Sequence, residues 1–245
     1  MTGDKIAIIS LGCSKNLVDS ERLMRMLDSV GLEVSYPDSP GAEDTFLRGR
    51  RRKHAVINTC GFIGDAKEES INEILRWAQL RKAGKIDGLY VMGCLSERYK
   101  EELPAEIPEV DRWYGKTDWP QLVSDLAKSH PGSVPYDRIL TTPRHHAYLK
   151  IAEGCDRFCA FCAIPLITGR YTSRPVEEIV DEVKMLVDRG VKEFNVIAQD
   201  LTSYGRDLYG KPEIARLVEA ISDVEGVEWI RLHYAYPNEF PMDLL

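Results

Sequence analysis

Short runs of apolar, mostly β-branched residues alternate along the chain with longer stretches in which apolar positions recur every three or four residues. "KIAIIS" (5–10), "HAVINTC" (54–60) and "GLYVMGC" (88–94) are of the first kind and predict buried strands. In "DSERLMRMLDSVG" (19–31), Leu23, Met26, Leu27 and Val30 share one helical face, and Gly31 is a stop signal. "DAKEESINEILRWAQL" (65–80) opens on a D-x-x-E capping pattern, Asp65 and Glu68, and puts Ile71, Ile74, Leu75 and Ala78 on one face. "TDWPQLVSDLAKSH" (117–130) predicts a further helix. Strands alternating with helices in this way predict a parallel sheet covered on both faces.

The pattern lapses over "HPGSVPYDRILTTPRHH" (130–146), rich in Pro, Ser and Thr, which reads as a linker. A second series follows. "AYLKIAEG" (147–154), "VKEFNVIAQD" (191–200) and "VEWIRLHY" (227–234) predict strands, and "PVEEIVDEVKMLVDRG" (175–190) and "PEIARLVEAISDVEG" (212–226) predict helices. The expected fold class is therefore α/β in two domains, 1–135 and 141–245. The second is a (βα) series that stops about three strands in, fewer than close a barrel. The chain reads as a fragment, or a very short relative, of a larger enzyme.

Composition narrows the function classes. The 245 residues are 44% apolar, which supports two cores, and the net charge of −7 argues against coating nucleic acid by bulk electrostatics. The run "RGRRRKH" (48–54) reads either as a local nucleic-acid or ribosome contact or as a solvated loop before a strand. No run of about 18 apolar residues occurs, so no membrane span is expected. "MTGDKIAIISLG" lacks the marks of a signal peptide. The expected location is cytoplasmic, where six cysteines point to metal or redox chemistry rather than disulfides.

The cysteines fall into two sets. "EGCDRFCAFCAIP" (153–165) places Cys155, Cys159 and Cys162 at C-x3-C-x2-C spacing, with no second C-x2-C pair downstream as zinc ribbons have. Three thiolates from one loop can hold three corners of a cubane [4Fe–4S] cluster and leave one iron open for a small molecule. A zinc site completed by His145 or His146, or three packed thiols, are the alternatives. Cys13, Cys60 and Cys94 each lie at or just past the end of a predicted strand, where the ends of a parallel sheet converge on a ligand crevice. Gly12, Gly61 and Gly93 adjoin them and suit close backbone approach to a bulky group. The alternative is three buried core cysteines. In the second series, Gln199 and Asp200 end the "NVIAQD" strand, at the face where barrel sites lie, and are candidates for cofactor contact; Asp200 is equally a helix cap.

The C-x3-C-x2-C loop resembles that of radical S-adenosylmethionine (SAM) enzymes, and "GCSKNLVDSE", "NTCGFIGDAKEES" and "MGCLSERY" resemble the methylthiotransferase domain of one family within them. The resemblance implies a Rossmann- or flavodoxin-like first domain and the first part of a radical-SAM partial TIM barrel. It implies two [4Fe–4S] clusters, one held by Cys155, Cys159 and Cys162 with SAM on its open iron, the other by Cys13, Cys60 and Cys94. The activity implied is addition of a methylthio group to an unactivated carbon. C-S-K-N, N-T-C-G-F-I and C-D-R-F-C-A-F-C resemble the ribosomal-protein branch. Its substrate is the β-carbon of one aspartate in ribosomal protein S12, the twelfth protein of the small subunit. The alternatives are the tRNA adenosine branch and an inactive iron–sulfur or zinc-binding fragment. Many relatives read Arg-Gly where this chain has Thr168-Gly169, followed by Arg170, and the family's remaining barrel strands and its TRAM domain have no counterpart here. The sulfur donor and electron donor are left open.

Overall fold

A computed structural model of the chain describes residues 3–38, 41–127, 137–237 and 240–244. The chain divides into two compact units, Met1–Ile139 and Leu140–Leu245.

The first unit runs β1 (Lys5–Ser10), α1 (Ser14–Ser29), β2 (Glu33–Ser35), α2 (Ala42–Leu47), β3 (Lys53–Thr59), α3 (Gly64–Lys82), β4 (Gly88–Gly93), α4 (Cys94–Arg98), α5 (Leu103–Glu106), β5 (Arg112–Trp113) and α6 (Trp119–Ala127). Its strands all pair in parallel, in the order β2-β1-β3-β4-β5. This is the flavodoxin-like order, in which the chain changes direction across the sheet between β1 and β3. Every residue of β3 is buried, as a central strand covered on both faces requires. On one face Ala55 and Ile57 pack with Ile74, Trp77 and Ala78 of α3. On the other, Val56 packs with Leu23, Met24 and Leu27 of α1 and Leu122 and Val123 of α6.

Three sequence expectations change here. The buried stripe of α3 is turned from the one predicted: Leu75 is 43% exposed while Trp77 is 0% exposed. The indole decides this, because its ring meets Phe46 at 6.1 Å and its Nε1 donates to Glu73 at 2.8 Å. The predicted capping pattern does not form, since Ile63 occupies the N-cap without a side-chain bond and Asp65 lies inside the first turn, where its charge suits the helix dipole. Helix α1 starts at Ser14 rather than at 19, because its first turns bury polar residues, Asn16, Asp19, Ser20 and Glu21, which carry no apolar period.

The basic run 48–54 is partly structural. Lys53 and His54 are buried in β3, Lys53 Nζ donates to the carbonyls of Gly49 and Arg51, and Arg51 pairs with Glu33. Of the predicted linker 130–146, residues 130–136 lie outside the described residues, as do residues 128–130 of the predicted helix. Residues 137–139 belong to the first unit. Arg138 is 1% exposed and bonds Glu21 at 2.7 Å, Asp137 bonds Arg25 at 2.6 Å, and Ile139 N donates to the Glu21 carbonyl at 3.1 Å.

The second unit runs β6 (His146–Lys150), β7 (Ala152–Glu153), α7 (Ile164–Thr168), β8 (Thr172–Ser173), α8 (Val176–Asp188), β9 (Glu193–Ile197), α9 (Arg206–Tyr209), α10 (Ile214–Ser222) and β10 (Trp229–Leu232). Strands β10, β9 and β6 form a parallel sheet in that order, with α8 and α10 packed on a common core. The single strand predicted over 147–154 is broken. After Lys150 the chain leaves the sheet, and β7 pairs antiparallel with β8, Ala152 opposite Ser173. Among the described residues no helix is long and apolar enough to cross a membrane.

Candidate metal centres

Cys13, Cys60 and Cys94 follow the C-terminal ends of β1, β3 and β4, which are adjacent parallel strands, so the three stand along one sheet edge beside the switch point. Cys13 occupies the N-cap of α1 in extended backbone conformation, without a side-chain capping bond. The loops interlock through glycines. Gly12 has φ +87°, and a Cβ there would lie 2.8 Å from Cys60 Sγ. A Cβ on Gly61 would lie 2.8 Å from the Cys94 carbonyl. Side chains at either position would push the cysteine-bearing segments apart.

A buried polar frame surrounds this triad. Asn16 Nδ2 donates to the carbonyls of Leu11 at 3.0 Å and Thr59 at 2.9 Å. Its Oδ1 accepts from Lys116 Nζ at 2.9 Å and lies 3.8 Å from Cys94 Sγ. Lys116 Nζ also bonds Asp19 at 2.6 Å. Ser70 Oγ accepts from Cys60 N at 3.0 Å and donates to Cys60 O at 3.1 Å. Burial pushes the Cys60 thiol up; the backbone bond involving Phe62 opposes this, neighbouring Cys13 adds to it, and Lys116 opposes it.

Cys155, Cys159 and Cys162 lie in the loop between β7 and β8, which the short ladder closes at its base. Within the loop, Cys155 N donates to Gly169 O at 3.2 Å and Cys162 N to Cys159 O at 2.9 Å. Phe158 is held at φ +46°, a strained backbone for a bulky residue. Gly154 has φ +77°, and a Cβ on it would overlap the Arg170 carbonyl. Burial pushes the Cys155 thiol up; a backbone bond involving Arg157 opposes this, and Asp200, Cys162 and Cys159 add to it. Arg170 is exposed, pairing with Asp156 at 3.5 Å and lying over the Phe158 ring at 5.3 Å.

Asp200 is a cap and more. It accepts from Thr202 N at 3.0 Å at the start of a 3-10 turn, and also from Thr202 Oγ1, Ser203 Oγ and Arg157 Nε. Burial raises its carboxyl, but the bonds from Thr202, Ser203 and Arg157 outweigh this and hold it below the usual range. The Arg157–Asp200 pair ties the cysteine loop to the end of β9, and Arg157 stacks 3.8 Å from the Tyr236 ring centroid. Gln199 Nε2 donates to Glu153 Oε1 at 3.0 Å, leaving Gln199 Oε1 buried without a partner, a spare acceptor on the same face. Beside the loop a cavity of about 250 Å³ is lined by Asp156, Arg157, Tyr171, Ser203, Arg206 and Asp207. Asn16, Lys116, Glu153 and Arg157 were not singled out from sequence. Asn16 and Arg157 lie inside the quoted motifs, whereas Lys116 carries no local signal.

Among the described residues no three His, Cys, Asp or Glu side chains close on a point as ligands of a single ion do. His145 and His146 stand at the opening of β6, while the cysteine loop follows its far end. The donor chemistry fits a cluster better: soft thiols come in threes, and in each set one of them, Cys60 or Cys155, is pushed up by burial, so that a cationic partner would favour its ionised form.

Residues 5–115 match the uncharacterized protein family UPF0004, and residues 149–241 match the radical SAM superfamily. The chain is 59% identical over all its 245 residues to the ribosomal protein uS12 methylthiotransferase RimO of Phocaeicola vulgatus, covering 54% of that protein. It is 57% identical to the RimO of Porphyromonas gingivalis, with the same coverage, and 51% identical over 242 residues to that of Flavobacterium johnsoniae. The chain thus spans about half the length of the curated relatives it matches. Among solved structures, the radical SAM methyltransferase TsrM of Kitasatospora setae, with cobalamin and a [4Fe-4S] cluster bound, superposes with TM-score 0.60 at 10% identity, over 100% of this chain and 58% of that one. A second TsrM structure, with tryptophan and a SAM analogue, gives 0.63 at 12% identity, over 99% of this chain and 56% of that one. At that identity the likeness concerns fold alone.

Proposed function

This chain belongs to the radical-SAM methylthiotransferase family, and from that premise we propose that it carries both iron–sulfur centres of an enzyme that adds a methylthio group to the β-carbon of an aspartate in ribosomal protein S12. The observation that carries the reading is the arrangement of the six cysteines. Cys13, Cys60 and Cys94 follow the ends of parallel strands, and Cys155, Cys159 and Cys162 lie in the loop closed by the β7–β8 ladder, each set beside glycines whose positions tolerate no side chain. In this reading Cys13, Cys60 and Cys94 hold one [4Fe–4S] cluster and Cys155, Cys159 and Cys162 the other, each leaving one iron without a protein ligand.

The cofactors supply abstraction of a hydrogen from a carbon with no acidity, which no side-chain base achieves at neutral pH. The chain's own residues bind, orient and shield. Arg157 and Asp200 fix the cysteine loop against the end of β9. Gln199, held by Glu153, offers its buried carbonyl oxygen as an acceptor for SAM. The choice of S12 over tRNA is supported by the names of relatives 51–59% identical to this chain, and in this reading the enzyme works in the cytoplasm with the ribosomal protein as its partner.

The test uses a full-length form carrying these residues. Incubated anaerobically with SAM, sulfide, a reductant and an aspartate-bearing S12 peptide, it should add ~46 Da to the peptide, the mass of replacing hydrogen by a methylthio group through cofactor chemistry. Adenosine in tRNA should stay unmodified. Methylthioadenosine in tRNA beside an unchanged peptide would overturn the substrate.

A further inference from the structure

We infer that Lys116, held between Asn16 and Asp19, is a positioning residue that sets the charge balance of the Cys13–Cys60–Cys94 centre; the inference rests on reading that triad as an iron–sulfur site. Asn16 is 0% exposed and Lys116 5% exposed, so an ammonium has been taken out of water beside the sheet edge. As a stability device this is weak, because desolvating a Lys–Asp pair consumes most of what their attraction returns. Placement suggests a different use.

One amide touches all three cysteine-bearing segments. Asn16 Nδ2 bonds the carbonyls of Leu11, two residues before Cys13, and of Thr59, which directly precedes Cys60. Asn16 Oδ1 is shared between Cys94 Sγ and Lys116 Nζ. With Cys94 as a thiolate ligand, that oxygen would face a negative sulfur, and the ammonium on the same oxygen makes the contact favourable. Three thiolates around a cubane core give a net negative site, more negative by one charge after reduction. A buried anion needs a fixed cation nearby, and groups beyond the ligands tune such sites. Asp19, 2.6 Å from the ammonium, keeps Lys116 in place and moderates its charge. Lys116 should therefore ease reduction of the centre, and Asp19 should restrain that effect.

The test uses the full-length protein with Cys155, Cys159 and Cys162 changed to Ala, so that the N-terminal centre is observed alone. An anaerobic reductive titration followed by electron paramagnetic resonance compares this parent with Lys116→Met and Lys116→Arg. Iron content should be alike in the three. At the potential that reduces half of the parent centres, the reduced-to-oxidised ratio should fall about tenfold in Lys116→Met, as expected for removing one partly screened charge at short range. It should return to within a few-fold in Lys116→Arg. Superimposable curves for the parent and an iron-replete Lys116→Met overturn the inference and leave the cluster reading intact. If Lys116→Met loses its iron, Asp19→Asn decides: it keeps the ammonium without its counter-charge and should raise the ratio, and an unchanged or lower ratio overturns the inference. A parent that takes up no iron and sulfide removes the cluster reading itself, and the inference with it.

Discussion

Asp200 is 3% exposed, and its carboxylate is bonded by a backbone amide, two hydroxyls and a guanidinium. Replacing it with Ala removes the cap of the 3-10 turn and the Arg157–Asp200 pair at the cysteine loop. Arg157 keeps some exposure to water, so the cost should be about 2 kcal/mol rather than the larger value of a fully buried pair. Urea unfolding of the two proteins measures it. The carboxyl is held below its ordinary value by the bonds that outweigh burial. Its contribution is therefore complete above the unfolded-state value, near pH 4, and fades as the pH falls through the lower folded-state value. The gap in urea midpoint between the wild type and Asp200→Asn should be constant near neutrality and close only in acid below about pH 4. A gap that closed between pH 5 and 7 would mean another group carries it.

Among the secondary elements, the glycine turns that let strand ends approach each other are the most exacting. Gly12 and Gly31 both have positive φ, +87° and +84°, but a Cβ on Gly31 meets nothing within 4 Å, whereas one on Gly12 meets Cys60. Gly31→Ala should cost only the backbone strain, about 1 kcal/mol, and leave iron uptake unchanged. Gly12→Ala should cost more and should lower iron bound per chain after anaerobic reconstitution by up to half. Equal iron in the two variants would separate the Gly12 turn from the metal site. Much of this was legible in the sequence. Strands β1, β3 and β4 announce themselves because their middles are buried and so read as short apolar runs, IAII, AVI and LYVM, and the cysteines could be placed at strand ends because they follow shortly after those runs. The start of α1 was hidden because its buried face is polar, with Asn16 bonded to the cysteine-bearing segments and Asp19 to Lys116. The β7–β8 ladder has two residues per strand, too few for any period, and β2 and β5 fail for the same reason. Lys116 could not be found at all, since its role depends on β5 bringing position 116 beside position 16.

At the scale of the whole molecule, each unit has its own core, so damage to one should spare the other's chemistry. Trp77 is fully buried in the first unit. Trp77→Ala should destabilise that unit by about 3–5 kcal/mol while leaving visible by absorption the iron that the proposed reading assigns to Cys155, Cys159 and Cys162. Where the first unit ends also matters. A fragment ending at residue 139 keeps the buried Arg138–Glu21 pair, whereas one ending at 135 loses it. The shorter fragment should be less stable in urea by about 3 kcal/mol.

Parallel pairing of β1, β3 and β4 also fixes an order of events. Residues 13, 60 and 94 become neighbours only after two long crossovers have closed, while 155, 159 and 162 are neighbours in any conformation of the chain. Long-range closure of this kind is slow compared with local contact. In the proposed reading, the loop made later on the ribosome is ready for iron as soon as it emerges, and the triad made first has to await tertiary structure. Maturation would then run against the direction of synthesis. In refolding from denaturant with iron and sulfide present, cluster absorption from the loop should precede the near-ultraviolet signal of native packing, and absorption from the dispersed triad should grow in step with that signal.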